Sequence, residues 1–205
     1  MTAPSSELVV KLINIGDPGA MIPAATAIAA WLFAARPRRL ALYWALLFSC
    51  GMALVAASKV AFLAWGIGIR ALDLKALSGH ATQTAAVAPV LCYLLLHSQT
   101  RAVRAAGILL GFAFAGVMGV LLAVCGYHSL SESAAGCILG AAVSIGFLWL
   151  FRKYEASPNN PVVLPAAIAA FLAAWLCWSP AFERLICKLA VDLSGHGTTC
   201  SYQTW

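Results

Sequence analysis

Charge is what this chain has least of: Lys and Arg number 13 and Asp and Glu 7 among 205 residues, or 10% together. A water-soluble domain of ordinary composition carries about 25% charged residues, so a soluble globule is excluded. No long polar stretch is present either, which leaves no room for a second, water-facing domain beside the first. No basic stripe with interleaved aromatics occurs, so nucleic acid is not an expected partner. The seven cysteines show no C-x-x-C and no Cys/His ligand spacing, which argues against a zinc site. Cys50, Cys92, Cys125, Cys137 and Cys177 lie in or beside apolar segments, where cysteine serves as a small packing residue. Cys187 and Cys200 stand in the polar tail and could pair if that tail faces an oxidising compartment. The first 16 residues lack a basic start followed by an apolar core, so no cleaved signal peptide is expected there.

What remains is overwhelmingly apolar. Hydrophobic residues make up 62% of the chain and the mean hydropathy is +0.89. A helix needs about 20 apolar residues to cross a bilayer. Six stretches qualify as candidates: 19–35, 40–65, 80–97, 105–125, 132–151 and 162–181. Between them, Arg36, Arg38, Arg39, Arg101, Arg104, Arg152 and Lys153 fall on one side, with Glu155 as the acid among them. The other side holds Lys11, Lys59, Arg70, Lys75, Arg184 and Lys188 together with most of the acids. Seven basic residues against six is a small bias; it sets the arginine-rich loops in the cytoplasm. Both chain ends and the turns at Ser78 and His128 then face outward. Residues 5–15 read either as a short amphipathic helix in the interface plane or as a loosely ordered tail. Gly107, Gly111, Ala115 and Gly119 recur every four positions, a spacing that lets helices approach closely.

The polar residues that interrupt this pattern cluster at span ends. Ser78-Gly79-His80 opens an apolar helix, whose start presents free N–H groups and a partial positive charge to an anion. Ser78 can cap the helix or donate its hydroxyl, Gly79 lets an oxyanion reach the backbone, and His80 enters the first turn. Ser194-Gly195-His196 repeats the tripeptide with no apolar helix after it, and reads as loop. His128 and Glu132 are four residues apart, so the carboxylate can hold one ring nitrogen and leave the other as base or nucleophile. Ser129-x-x-Glu132 is equally a capping box, in which the glutamate only bonds the helix start. Lys59 lies late in a long apolar span; it belongs either to a site or to the interface, reached by snorkelling. Arg70 can serve as a phosphate clamp or as a plain surface arginine. His97 sits at the far end of its span from these residues.

Taken together, these residues resemble the type 2 phosphatidic acid phosphatases. That family's pattern is K-x6-R-P, then P-S-G-H, then S-R-x5-H-x3-D. Lys59 matches the first lysine; Ser78, Gly79 and His80 match the second motif, with Leu77 for proline; His128 and Glu132 match the third, with glutamate for aspartate. The likeness runs over roughly residues 10–150. Gly66 and Ile67 stand where the first arginine and proline would be, and Leu122 where the second arginine would be. Arg70 or Lys75 could restore one positive group.

The resemblance implies an all-α, polytopic membrane protein of about six transmembrane helices, with a core bundle like that of these phosphatases and the haloperoxidases. It implies an interfacial segment over 1–18, a transmembrane catalytic domain over 19–182 and a polar tail over 183–205. It also implies a lipid phosphatase of a bacterial inner membrane, with its site facing the periplasm and no cofactor or metal. The substrate would be a phosphomonoester or diphosphate of an amphiphile: a polyprenyl diphosphate, phosphatidic acid, phosphatidylglycerophosphate or lipid A. His128 would be the nucleophile, His80 the acid and base, and Glu132 the orienting carboxylate. Lys59, Ser78, Gly79 and Arg70 would hold the phosphate. A lipid phosphotransferase, a non-catalytic binder of lipid phosphates, and a metal site on His80, His128 and Glu132 are the rival readings.

Overall fold

The computed structural model describes residues 13–35, 38–153, 163–176 and 181–195. Among them the secondary structure is helical apart from one β-bridge between Ile69 and Leu74. The helices are α1 (Pro18–Ala35), α2 (Arg39–Trp65), α3 (Gly79–Leu95), α4 (Arg101–Val124), α5 (Leu130–Phe151), α6 (Val163–Leu176) and α7 (Ala181–Ser194), with a 3-10 turn at Arg70–Leu72. Each of the six apolar stretches contains a helix among the described residues. Ile13–Ala35, Arg39–Trp65, Arg101–Val124 and Leu130–Phe151 are long and apolar enough to cross a membrane. Large apolar side chains such as Leu46, Leu109, Ile138 and Trp149 point outward on them, as a lipid-facing surface requires.

The starts of these helices follow from their sequences. Asp17 precedes Pro18, and its carboxylate accepts the Gly19 N–H at 2.7 Å, closing the first turn of α1. Thr100 caps α4 through the Val103 N–H, and Ser129 caps α5 with Glu132 answering it. At the end of α2, Gly66 takes a left-handed conformation (φ 65°) and its N–H bonds the Phe62 carbonyl at 2.7 Å. The position where the phosphatase pattern carries arginine is thus a helix-terminating glycine.

α3 is the central helix, packed chiefly against α4 and α5. Thr82, Gln83 and Thr84 are all buried on it, which explains its lower apolarity: protein surrounds it, so lipid does not select its residues. Small residues make that burial possible. A Cβ at Gly111 would stand 2.6 Å from Pro89 of α3, and one at Gly136 would stand 2.6 Å from the Ser78 carbonyl oxygen. The four-residue repeat Gly107, Gly111, Ala115 and Gly119 is buried as expected. The largest core joins α1, α2, α3 and α5 around Ile28, Leu32, Trp44, Val90 and Phe147, and the Trp44 indole N–H is satisfied by the Ala25 carbonyl at 2.9 Å.

The two chain ends are described in part. Residues 5–12 lie outside the described part, and 13–15 are helical. The stretch from 183 onward is not simply a polar tail. Residues 181–194 form α7, which packs Ile186 and Ala190 against Phe62, Leu63 and Ala64 at the end of α2 and Ala76 of the α2–α3 connection. Leu185, Leu189 and Leu193 share another, exposed face of this helix, which is the pattern of a helix lying at a membrane interface. Ser194 and Gly195 of the repeated tripeptide end this helix instead of starting one, and His196 lies outside the described residues. Cys187 is exposed with a free thiol; Cys200 is outside the described residues.

Candidate functional site

Three chain segments meet at one end of the bundle: the start of α1, the α2–α3 connection and the α4–α5 turn. The α2–α3 connection is a tight loop, closed by reciprocal backbone bonds between Ile69 and Leu74. The Asp73 carbonyl accepts the Ser129 hydroxyl at 2.7 Å and the Ser131 hydroxyl at 3.2 Å, which ties this loop to the start of α5. The Ser58 hydroxyl accepts the Leu77 N–H, fixing the approach to α3.

Glu132 is the hub. It is 3% exposed, a position a carboxylate tolerates only when fully bonded. One carboxylate oxygen meets His128 Nδ1 at 2.9 Å and also accepts the Ser129 N–H at 3.2 Å. The other accepts the Lys75 N–H at 3.2 Å, while the Glu132 backbone carbonyl accepts the Ser78 N–H. The capping box and the histidine–carboxylate pair are therefore both present, made by the same side chain. With Nδ1 engaged, Nε2 is the His128 ring nitrogen left to face a further partner.

His80 has its own carboxylate. Its Nε2 lies 3.4 Å from Asp17 Oδ2, while the other Asp17 oxygen is engaged in capping α1. Capping thus holds the acid in place for the imidazole. Asp17, His128 and Lys59 all interact electrostatically with His80, so both histidines and the lysine share one field. Beside them is a cavity of about 360 Å3 whose walls include Asn14, Asp17, Lys59, Gly79, His80, Gln83, Leu122, Tyr127 and Ile186.

The expected residues are distributed unevenly around this cavity. Lys59, Gly79 and His80 line it directly. His128 is not among the cavity walls; it follows Tyr127, which is, and both backbone amides bond the Leu122 carbonyl. Ser78 is fully buried; its hydroxyl caps α3 by accepting the Ala81 N–H at 3.4 Å, and it is not among the cavity walls. Arg70 is exposed on the 3-10 turn and also not among them. Lys75 pairs with Asp73 at 3.5 Å. Leu122, at the position of the second pattern arginine, is a buried apolar wall. Among the described residues no cluster of three or more His, Cys, Asp and Glu is placed to hold a metal ion.

Gln83, Tyr127 and Ile186 are among the cavity walls that the sequence did not single out, and Asp17 stood out only within Asn14-Ile15-Gly16-Asp17, the entry to the first span. Gln83 carried a signal, three residues beyond His80 and hence on the same helix face. Asp17 carried only that of a helix cap, and its meeting with His80 depends on the tertiary fold.

A 139-residue stretch of the chain is 40% identical to an uncharacterized 22.5 kDa protein in the cps region of Klebsiella pneumoniae, covering 67% of this chain. The match spans 66% of that relative's length, just under two thirds. No protein-family model matches the chain. No solved structure matches it.

Proposed function

We propose that this protein is a six-span integral membrane lipid phosphatase that works through a phosphohistidine. The observation that carries the reading is a pair of histidines, one in the first turn of α3 and one in the α4–α5 turn, each within 3.4 Å of its own carboxylate, with His80, Lys59 and Gly79 lining one cavity. His128 Nε2 attacks phosphorus and the bond to the leaving oxygen breaks. His80 gives that oxygen a proton. Water then attacks phosphorus, the P–N bond breaks with its electrons returning to His128, and His80 takes the proton from the water. Covalent catalysis divides the reaction into two easier steps, and a histidine exchanges acid and base roles readily near neutral pH. Lys59 and the Gly79 amide hold the phosphate oxygens. The substrate is a lipid phosphate or diphosphate, its apolar chains lying in the bilayer. α3 and α6 complete the six spans, with α3 enclosed by its neighbours. The arginine-rich loops face the cytoplasm of a bacterial cell, and the cavity opens at the outer headgroup level.

One observation favours a second reading. Leu122 and Gly66 replace two arginines of the phosphatase pattern, and clamps of this kind are usually a large catalytic term. A protein that binds lipid phosphates without turning them over would have this composition. Purified protein in detergent, given radiolabelled phosphatidic acid with and without EDTA and quenched in alkali, separates the two. Label on His128 and release of inorganic phosphate, both indifferent to EDTA, support the phosphatase. Saturable lipid binding with no label on the protein supports the binder.

A further inference from the structure

Gln83 is 2% exposed, and its Oε1 accepts no hydrogen bond from any described residue. A buried polar atom is normally paired, so an unpaired one needs a reason. The neighbouring polar side chains of α3 show the ordinary arrangement: Thr82 bonds the Ser78 carbonyl and Thr84 bonds the His80 carbonyl, each at 2.8 Å. Gln83 instead lines the same cavity as His80 and Lys59. Three residues apart on one helix, the imidazole and the carboxamide lie side by side.

We propose that Gln83 positions the water that cleaves the phosphohistidine, an assignment that rests on the phosphatase reading above. An attacking water has two protons and needs two acceptors to fix its lone pair on phosphorus. His80 is one, and takes its proton during the attack. Gln83 Oε1 is the other; it accepts a hydrogen bond and keeps no proton. The water oxygen bonds to phosphorus, the P–N bond breaks, and the electron pair returns to His128. Gln83 has no part in the first step, where the leaving group is an alkoxide or phosphate that needs a proton and not an acceptor. An apolar residue at this place would leave the phosphorylated protein waiting for water, and would favour transfer to an alcohol held by other contacts.

The test is single-turnover labelling of the full-length protein in detergent micelles with radiolabelled phosphatidic acid, for wild type, Gln83→Leu, Gln83→Met and Gln83→Glu. The two apolar variants are expected to form labelled His128 within about twofold of the wild-type rate and to lose it at least tenfold more slowly. Gln83→Glu, which keeps an acceptor, is expected to recover a good part of the loss. Melting temperatures of the apolar variants equal to or above wild type are expected too, because no hydrogen bond is lost. Equal slowing of formation and breakdown, unchanged breakdown, or a lowered melting temperature in both apolar variants would overturn the assignment. Absence of label from the wild-type protein overturns the phosphatase reading itself, and this assignment with it.

Discussion

A histidine stands at each end of α3, and the two ends treat it differently. At the start, His80 lies 3.4 Å from Asp17 and lines a cavity with Lys59. Near the other end, His97 is packed edge-on against Tyr93 and Phe151, at ring separations of 6.0 and 5.7 Å. Arg104 bonds its backbone carbonyl, and the buried Nδ1 has no partner among the described residues. Both imidazoles sit where a helix meets a loop, so position on the helix does not distinguish them. What differs is the supply of carboxylates. The site end brings Asp17 and Glu132 to two rings, which fixes ring orientation and supports a charged imidazolium during proton transfer. The aromatic end supplies apolar edges, which fix a ring only by packing.

The largest effect expected is loss of turnover at one end with none at the other. Under the proposed mechanism, His128→Ala and His80→Ala should each lower phosphate release from phosphatidic acid by at least about 10³-fold, since each would remove a group that forms or breaks a bond. His97→Phe should leave turnover within about twofold and stability within about 1 kcal/mol, because the aromatic edge contacts are kept and an unpaired nitrogen is removed. Comparable losses in all three variants would erase the distinction between the ends.

Glycines sharpen it further. At Gly79 a Cβ would meet only Val55, at 3.7 Å, which is ordinary contact. At Gly140 a Cβ would run into the Thr82 carbonyl oxygen and stand 2.7 Å from Ala85 Cβ. Packing therefore requires glycine at 140 and does not require it at 79. Gly79→Ala should keep the melting temperature and, under the proposed mechanism, lose at least about tenfold in turnover, because the methyl group would crowd the backbone amide assigned to the phosphate oxygen. Gly140→Ala should lose about 1–3 kcal/mol of stability, with turnover following the folded fraction. Thermal melts in detergent and initial rates on the same samples decide both. A stable, fully active Gly79→Ala would remove the oxyanion role from the start of α3.

How much of this could be read beforehand depends on the range of the interaction. The helix positions follow from runs of apolar residues, so 40–65 and 132–151 lie close to Arg39–Trp65 and Leu130–Phe151. α4 begins earlier than hydropathy alone suggests, at Arg101, because Thr100 caps it while two arginines depress its apolarity. α7 escaped for a related reason: Arg184, Lys188 and Asp192 alternate with its apolar face and make a helix resemble a polar tail. In the site, His128 and Glu132 are legible because they stand four residues apart across the start of α5. The meeting of His80 with Asp17, and the selection of Lys59 over Arg70 as a cavity wall, depend on how helices distant in sequence pack.

That selection leaves the smallest expected effect, at Arg70. The 3-10 turn carrying it is held by the Ile69–Leu74 bonds and by the Asp73 carbonyl, which two serines of the α5 start engage. Its exposed side chain is not among the cavity walls, so its charge acts on a bound phosphate mainly through water. Between solvent-exposed charges such an interaction is weakened by physiological salt, where the Debye length is about 8 Å. Arg70→Ala should therefore lower turnover by less than about threefold, and the difference should vanish at high salt. A salt-resistant loss of tenfold or more would mean that the arginine reaches the phosphate when substrate is bound. The site end would then include this loop, and the cation missing at Gly66 would be restored four residues further along the chain.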